Sequence, residues 1–458
     1  MSTASVSAQT LAKMPNPYVV KVVDFPAGPA VVCAGEGYGP VVAIDPRTWN
    51  VRTIADGPGG CLDVTPVPGY NALYMIGGSF VGYDFHRSGV YRLDLPAAVW
   101  GRGDGDNDAD DPVSSAPNIP IRLFDLPFAH RLQSFRNRDG VHLVAASIAQ
   151  SKHDRDDWSR PGAVFVADLG DGLAAPERGA EPPAPAARAG IPGDVPIPLR
   201  PILGELHKNH GLTTVGTGHM VHPEETVRSN STGDLGWLYI SGTEGTFRAP
   251  FPETNESSWT FERVVDHEIS ELFFIDLDGD GVDELVTIEP FHGDRLAVYR
   301  IGRSETGSEG TRPGRSRSWG TRRGDVSPGR AREPLGSAPP ELALWLEKEI
   351  SFGHGLWTGM IGGVPSILVG NRSGHKNLEM IRIIDGNLVT ETIAEGTGTA
   401  QVAVVPGGIA RAGGLRHDAP RDATNTRGTT LPSDATEGPD YIIASNQEQD
   451  EIVLYTVG

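Results

Sequence analysis

One pattern recurs seven times along this chain and restricts its fold more than any other feature. It is a short apolar run ending in small residues, a polar loop, then an alternating run ending in an aliphatic or aromatic residue. The copies are 31-VVCAGEGYGPVVAID-45, 73-LYMIGGSFVGYDFHRSGVYRLDL-95, 142-HLVAASIAQSKHDRDDWSRPGAVFVADL-169, 237-WLYISGTEGTFRAPF-251, 285-LVTIEPFHGDRLAVYRI-301, 366-SILVGNRSGHKNLEMIRI-383 and 441-YIIASNQEQDEIVLYTV-457. Their lengths suit β-hairpins, and the period-two alternation of VYRLDL or LAVYRI fits strands with one face buried. Between hairpins comes an edge-like strand (VRTIA, IRLFDLP, TFERVVDHE, WLEKEISFG, LVTETIAEG), a sharp turn, and a segment such as CLDVTPV, HRLQSF, HGLTTVG, SELFFID, HGLWTGM or AQVAVVP. Four strands per unit, repeated seven times, is the arithmetic of an all-β seven-bladed β-propeller. Closure is expected from 18-YVVKVVDF-25 joining the C-terminal hairpin, which removes exposed sheet edges. That leaves residues 1–16 as a flexible tail and 17–458 as a single domain.

The composition agrees. Gly 58 and Pro 37 among 458 residues favour turns over long helices. A net charge of -20 disfavours non-specific nucleic-acid binding. Two cysteines, Cys33 and Cys61, are too few for a disulfide scaffold. The first residues lack a signal-peptide core, and no apolar run approaches the roughly 18–20 residues of a membrane span. A soluble cytoplasmic protein without a membrane partner is the expectation. Four runs, at about 101–116, 171–195, 302–340 and 411–438, are acidic, Pro/Ala-rich or Arg/Gly/Ser-rich. They are expected to be disordered insertions, because they offer too little apolar area to offset chain ordering.

The stretch 273-FFIDLDGDGVDELVTI-288 reads strand, acidic turn, strand. Asp276, Asp278, Asp280 and Glu284 fall at loop positions 1, 3, 5 and 9, with the Val282 carbonyl at 7 and Gly281 permitting the sharp turn. Such an oxygen set suits Ca²⁺ better than Mg²⁺. The position of an EF-hand's bidentate Glu is Thr287, and the flanks are strands, so the loop resembles an FG-GAP or VCBS-type propeller repeat instead. On propeller topology it lies on the face opposite the histidine-bearing turns, where a structural role is expected.

In a propeller, the turns from each outer strand to the next inner strand share a mouth with the hairpin loops. That places His130, His207, His210, His267 and His354 at turns, and His86, His153, His292 and His375 in hairpin loops, around one mouth. Three turns look alike, 129-AHRL-132, 209-NHGL-212 and 353-GHGL-356, each putting a histidine where an inner strand begins. Neutral imidazoles converging from separate blades suit Zn²⁺ or a related metal, with a position left for water or substrate. Each histidine would alternatively cap its own turn. His207, Lys208, Glu268, Glu271, Arg131, His375, Lys376, Tyr83 and Asp84 are further polar groups at that mouth. No GxSxG elbow, P-loop or dinucleotide fingerprint appears.

Together, the ring, the lone DLDGDGVDEL loop and the turns FAHRL, LHKNHGL and FGHGLWTG resemble the propeller domain of the fungal aldos-2-ulose dehydratase (1,5-anhydro-D-fructose dehydratase) family. The resemblance covers most of the chain outside the low-complexity runs. It implies zinc-dependent dehydration of a small 2-keto sugar, with His130, His210 and His354 as zinc ligands and His267 as a fourth. Asp276, Asp278, Asp280 and Glu284 would bind a structural divalent ion. His207, Lys208 and His375 are the candidates for acid and base. That family also carries cupin-like domains for a later isomerisation; none follows the last hairpin here, so dehydration alone is expected. The rival readings are a non-catalytic FG-GAP/VCBS propeller binding a protein or glycan, and a polysaccharide lyase or hydrolase. Fold analogy does not choose among them.

Overall fold

A computed structural model describes residues 6–26, 28–80, 85–95, 118–170, 197–215, 236–302, 341–384, 386–411 and 439–457. Among these, seven four-stranded sheets follow one another along the chain. The innermost strands of blades 1 to 7 are Pro17–Phe25, Val64–Pro66, Ala129–Asn137, Gly211–Val215, Glu271–Ile275, Gly353–Ile361 and Thr399–Val405. Each packs against the next, and the seventh packs against the first, so the ring is closed. The protein is a seven-bladed β-propeller.

Closure differs from the sequence expectation. Val6–Lys13 pairs antiparallel with Glu451–Val457, Val6 opposite Val457 and Lys13 opposite Glu451. The segment expected to be a tail is therefore the outermost strand of blade 7. YVVKVVDF is the innermost strand of blade 1, paired with Gly28–Gly35. Burial explains the exchange. Tyr18, Val19, Val20 and Val23 are buried, as an axial strand requires, whereas Val6–Lys13 has no buried residue and an exposed middle. An outer strand of this kind carries almost no apolar signal.

The core lies between adjacent sheets. Val286, Ile288, Leu296 and Val298 of blade 5 pack on Ile367, Val369 and Ile381 of blade 6, all nearly solvent-free. Each such side chain stabilises the stack by about 1.5–3 kcal/mol. Cys33 and Cys61 are free and buried. Burial raises both thiols above their ordinary range. The four runs expected as insertions fall outside the described residues, apart from Gly302, which ends a strand, and Arg411, which ends a five-residue helix. Among the described residues no helix is long and apolar enough to cross a membrane.

Candidate metal centre

Local backbone geometry aims four side chains at the axis. Tyr18, His130 and His354 are each the second residue of an inner strand, and in each case the ladder register slips at that residue. A β-bulge takes a side chain out of the in–out alternation and re-aims it. His210 directly precedes the inner strand of blade 4. Two residues ahead of these four stand Asn16, Phe128, Lys208 and Phe352, with φ of 46, 58, 48 and 53°. Gly60 and Gly398 take the same place in blades 2 and 7, with φ of 59 and 56°. The turn wants a left-handed residue. Holding a non-glycine there costs on the order of 1–3 kcal/mol and is typical of functional sites. His292, itself at φ 49°, comes from the hairpin loop of blade 5.

The rings converge. Centroids are 4.3 Å apart for His130 and His210, 4.6 Å for His210 and His292, 4.6 Å for His292 and His354, and 5.5 Å for His210 and His354. The Tyr18 hydroxyl lies 3.2 Å from His354 Nε2 and 3.5 Å from His130 Nε2. Second contacts assign two tautomers. His354 Nδ1–H donates to the Ala400 carbonyl at 2.8 Å, which leaves Nε2 with its lone pair. His210 Nδ1–H donates to Glu271 Oε1 at 2.9 Å, and its buried Nε2 has no partner. The buried Nδ1 atoms of His130 and His292 are also unpartnered. Further along the inner strands the channel holds a cavity of about 160 Å³, reaching His354, Arg131 and Glu271 and lined also by Lys21, Asp63 and Trp357.

Electrostatics keep the rings neutral. Burial, then the neighbouring rings with Arg131 or Arg372, lowers the pKa of His130, His292 and His354 well below the ordinary value. His210 is lowered too, by burial against the opposing pull of Glu271. Burial resists ionisation of Glu271, but Arg131 at 2.6 Å and His210 outweigh it and hold the carboxyl at about 2. Tyr18 is pushed up to about 12, mainly by burial, and keeps its proton. Neutral imidazoles with orphaned nitrogens, one backed by a carboxylate, are the donor set of a borderline-soft metal. Ligand atoms of His210, His292 and His354 all lie within 4.8 Å of one another.

Of the nine histidines expected at this mouth, four reach the axis. His130, His210 and His354 come together as expected. His267 does not: it is partly exposed, with Nε2 3.1 Å from Glu289 Oε1. Aligning the inner strands on Leu132, Leu212, Leu272 and Leu356 shows why. Ser270, not His267, takes the histidine place, and Glu271 takes the place of Gly211 and Gly355. Blade 5 thus supplies the carboxylate from its strand and the fourth imidazole, His292, from its loop. His207 pairs with Glu244 at 2.5 Å and Lys208 with Glu268 at 2.9 Å; His86, His153 and His375 are exposed. Tyr83 and Asp84 lie outside the described residues. Glu36, which nothing in the sequence marked, accepts a hydrogen bond from Gln447 Nε2 at 3.2 Å, and burial raises its carboxyl.

The acidic loop joins the first two strands of blade 5, at the far end from the histidines. Asp276, Asp278 and Glu284 bring carboxylate oxygens within 4.8 Å of one another. Asp280 is not among them; its Oδ1 accepts the Val282 N–H at 2.8 Å, and the Val282 side chain is exposed. Asp276 accepts the N–H groups of Gly279 and Gly281, both at 2.8 Å. Arg300 lies 2.5 Å from Asp278 and 3.9 Å from Glu284. Burial, aided by Asp278 and Asp280, raises Glu284 to about 7. The loop therefore holds its shape through its own hydrogen bonds and one guanidinium, with three oxygen donors facing one another.

No family model and no curated protein matches the sequence. Among solved structures the chain is similar to the PQQ-bound aldose sugar dehydrogenase of Streptomyces coelicolor, with 14% identity, 99% of this chain and 98% of that chain covered, and a TM-score of 0.36. It is similar to the Cps50 (Swd1) β-propeller domain of Myceliophteria thermophila, with 11% identity, 99% and 100% covered, and a TM-score of 0.46. Hydrazine synthase of Kuenenia stuttgartiensis matches with 11% identity, 97% and 96% covered, and a TM-score of 0.48. The fold class rests on the seven sheets themselves.

Proposed function

We propose that His210, His292 and His354, with His130 beside them, hold a zinc ion, and that the protein is a metal-dependent carbon–oxygen lyase. Its substrate class is a 2-keto sugar such as 1,5-anhydro-D-fructose. The observation that carries this reading is the set of unpartnered nitrogens of His130, His210 and His292, converging from separate blades on His354, whose Nε2 meets only the Tyr18 hydroxyl among the described residues. Leaving such groups unpaired costs about 1–3 kcal/mol each, which a ligand recovers.

Bound zinc supplies a Lewis acid that polarises a ketone and stabilises negative charge developing on its oxygen. The chain's own groups do the rest. Glu271 and the Ala400 carbonyl fix two imidazoles in the tautomers that present Nε2 inward. Tyr18, protonated at neutral pH and beside His354 and His130, would donate to a departing β-hydroxyl. Glu36, held by Gln447 Nε2 at 3.2 Å, would accept the α-proton. The α C–H bond and the β C–O bond break, a carbon–carbon double bond forms, and the hydroxyl leaves with the donated proton as water. His207, Lys208 and His375 stand at the rim, where they would meet substrate hydroxyls. At the opposite end, Asp276, Asp278 and Glu284 would hold a structural Ca²⁺ or Mg²⁺.

Elemental analysis tests the reading. Wild type and His267→Ala should carry about one zinc per chain, and His292→Ala should lose it. A zinc-free wild type, or a His292→Ala protein with undiminished zinc, overturns the proposal. Disappearance of 1,5-anhydro-D-fructose with growth of an enone absorbance tests the reaction separately.

A further inference from the structure

Several cations around this mouth and channel are held in ion pairs. Lys208 meets Glu268 at 2.9 Å, Lys376 meets Glu448 at 2.7 Å, Arg131 meets Glu271 at 2.6 Å and Lys21 meets Asp63 at 2.6 Å. For Arg372, no carboxylate pairs with the guanidinium among the described residues. Its side-chain hydrogen bond goes to the neutral Gln447 Oε1. The other end of the same carboxamide donates to Glu36 at 3.2 Å. Gln447 therefore bridges Arg372 and Glu36, whose charges act on each other without a direct ion pair among the described residues.

Arg372 sits close to the centre. Its N–H bonds to the Phe352 carbonyl at 3.0 Å, and its guanidinium carbon is 5.9 Å from the Phe352 ring centre. Phe352 in turn stacks on His292 at 4.9 Å and 22°. The charge count is lopsided. With the proposed divalent ion bound, Arg131 and Arg372 together with the ion would outweigh Glu271 and Glu36, leaving an excess of positive charge even with both acids ionised. An aromatic floor, an arginine fork without a carboxylate partner among the described residues and surplus positive charge suit a sugar that also carries an anionic group.

We propose, resting on the metal-dependent reading above, that Arg372 determines specificity by binding a carboxylate, and that the preferred 2-keto sugar is one that also carries a carboxylate. Its carboxylate lies on the Arg372 fork while its reacting carbons face the histidines. An arginine matches both oxygens of a carboxylate, which a lysine ammonium cannot do. Gln447 acts as a spacer that leaves the fork available.

The test is calorimetric titration of the full chain, dialysed against zinc and held at low salt, with D-galacturonate and with D-galactose. The wild type should bind galacturonate at least about tenfold more tightly than galactose, since a charge-assisted hydrogen bond contributes that much. Arg372→Gln should bring the ratio close to one. Gln447→Glu should do the same with Arg372 in place, because it supplies the missing counter-charge; Arg372→Lys should keep part of the preference. Equal affinities in the wild type, no galacturonate binding, or a ratio that survives Arg372→Gln would overturn the proposal. Zinc content is read on the same samples. A zinc-free wild type that still prefers galacturonate sinks the metal reading and leaves the Arg372 anchor standing.

Discussion

Replacing Glu271 by Gln keeps the side chain's shape and removes one charge from a position with two demanding partners. Glu271, Arg131 and His210 are 8, 7 and 1% exposed, so solvent offers little compensation. The first loss is electrostatic: removing one member of a buried ion pair costs about 3–5 kcal/mol, because the other charge stays buried. The carboxyl's own behaviour gives a similar figure. Held at about 2 against its ordinary 4.5, it favours the charged form by about 3 kcal/mol. The second loss concerns the metal. An amide oxygen still accepts from His210 Nδ1–H, but weakening a ligand's supporting partner lowers metal affinity by about 10–100-fold.

The two losses separate experimentally. Urea unfolding in the presence of a chelator reads the first, and competition with a chromophoric zinc chelator reads the second. The double variant Arg131→Met with Glu271→Gln should regain much of the stability, since no charge is then left stranded. If chelated Glu271→Gln unfolded at the wild-type urea midpoint, the reasoning about Arg131 would fail. If its zinc affinity were unchanged, Glu271 would not be what orients His210.

Two further outcomes are expected. A Cβ at Gly211 would lie 2.0 Å from Ser241 Oγ and 2.8 Å from the Ser270 carbonyl; the hydroxyl can swing away but the backbone must move. Gly211→Ala should therefore lower stability by about 1–3 kcal/mol and weaken zinc binding at the adjoining His210, measured by the same two assays; wild-type values in both would refute it. His142 is buried on Phe135 with Nε2 2.7 Å from Asn137 Oδ1, and burial lowers its pKa despite Asp168. Its folded form resists a proton that the unfolded chain accepts. Stability should thus fall as pH drops below about 6.5, by at most about 1.4 kcal/mol per pH unit from this group. His142→Gln should flatten that slope in pH-dependent unfolding, and an unaltered slope would count against it.

The blades were legible because a hairpin with one buried face writes its alternation directly into the chain. All seven hairpins and five outer strands stand where that alternation puts them. Val6–Lys13 left no such trace, since an outer strand buries almost nothing, and YVVKVVDF was misplaced as a result. At the site, His130, His210 and His354 were recoverable because the same turn recurs before a leucine. His292 was not marked as a ligand: its loop, 290-PFHGD-294, shares nothing with those turns, and only the closed ring brings it to them. His267 misled because it lies in a turn of the right kind but four residues ahead of its inner strand. Register against Leu272 would have exposed the offset and pointed to Glu271. In the acidic loop, spacing located Asp276, Asp278 and Glu284 but not Arg300, a strand away.

The pairing of residues 6–13 with 451–457 bears on how the centre comes into being during synthesis. The four imidazoles emerge from the ribosome between residues 130 and 354, long before the last sheet can form. His354 is oriented by the Ala400 carbonyl, and Tyr18 meets it from the first blade. A nascent chain halted in its sixth blade would have made all four imidazoles yet could not present them in their final pose. On the proposed zinc reading, metal capture at full affinity would then be a post-translational event, and loss of zinc would report an opened ring as readily as a damaged ligand.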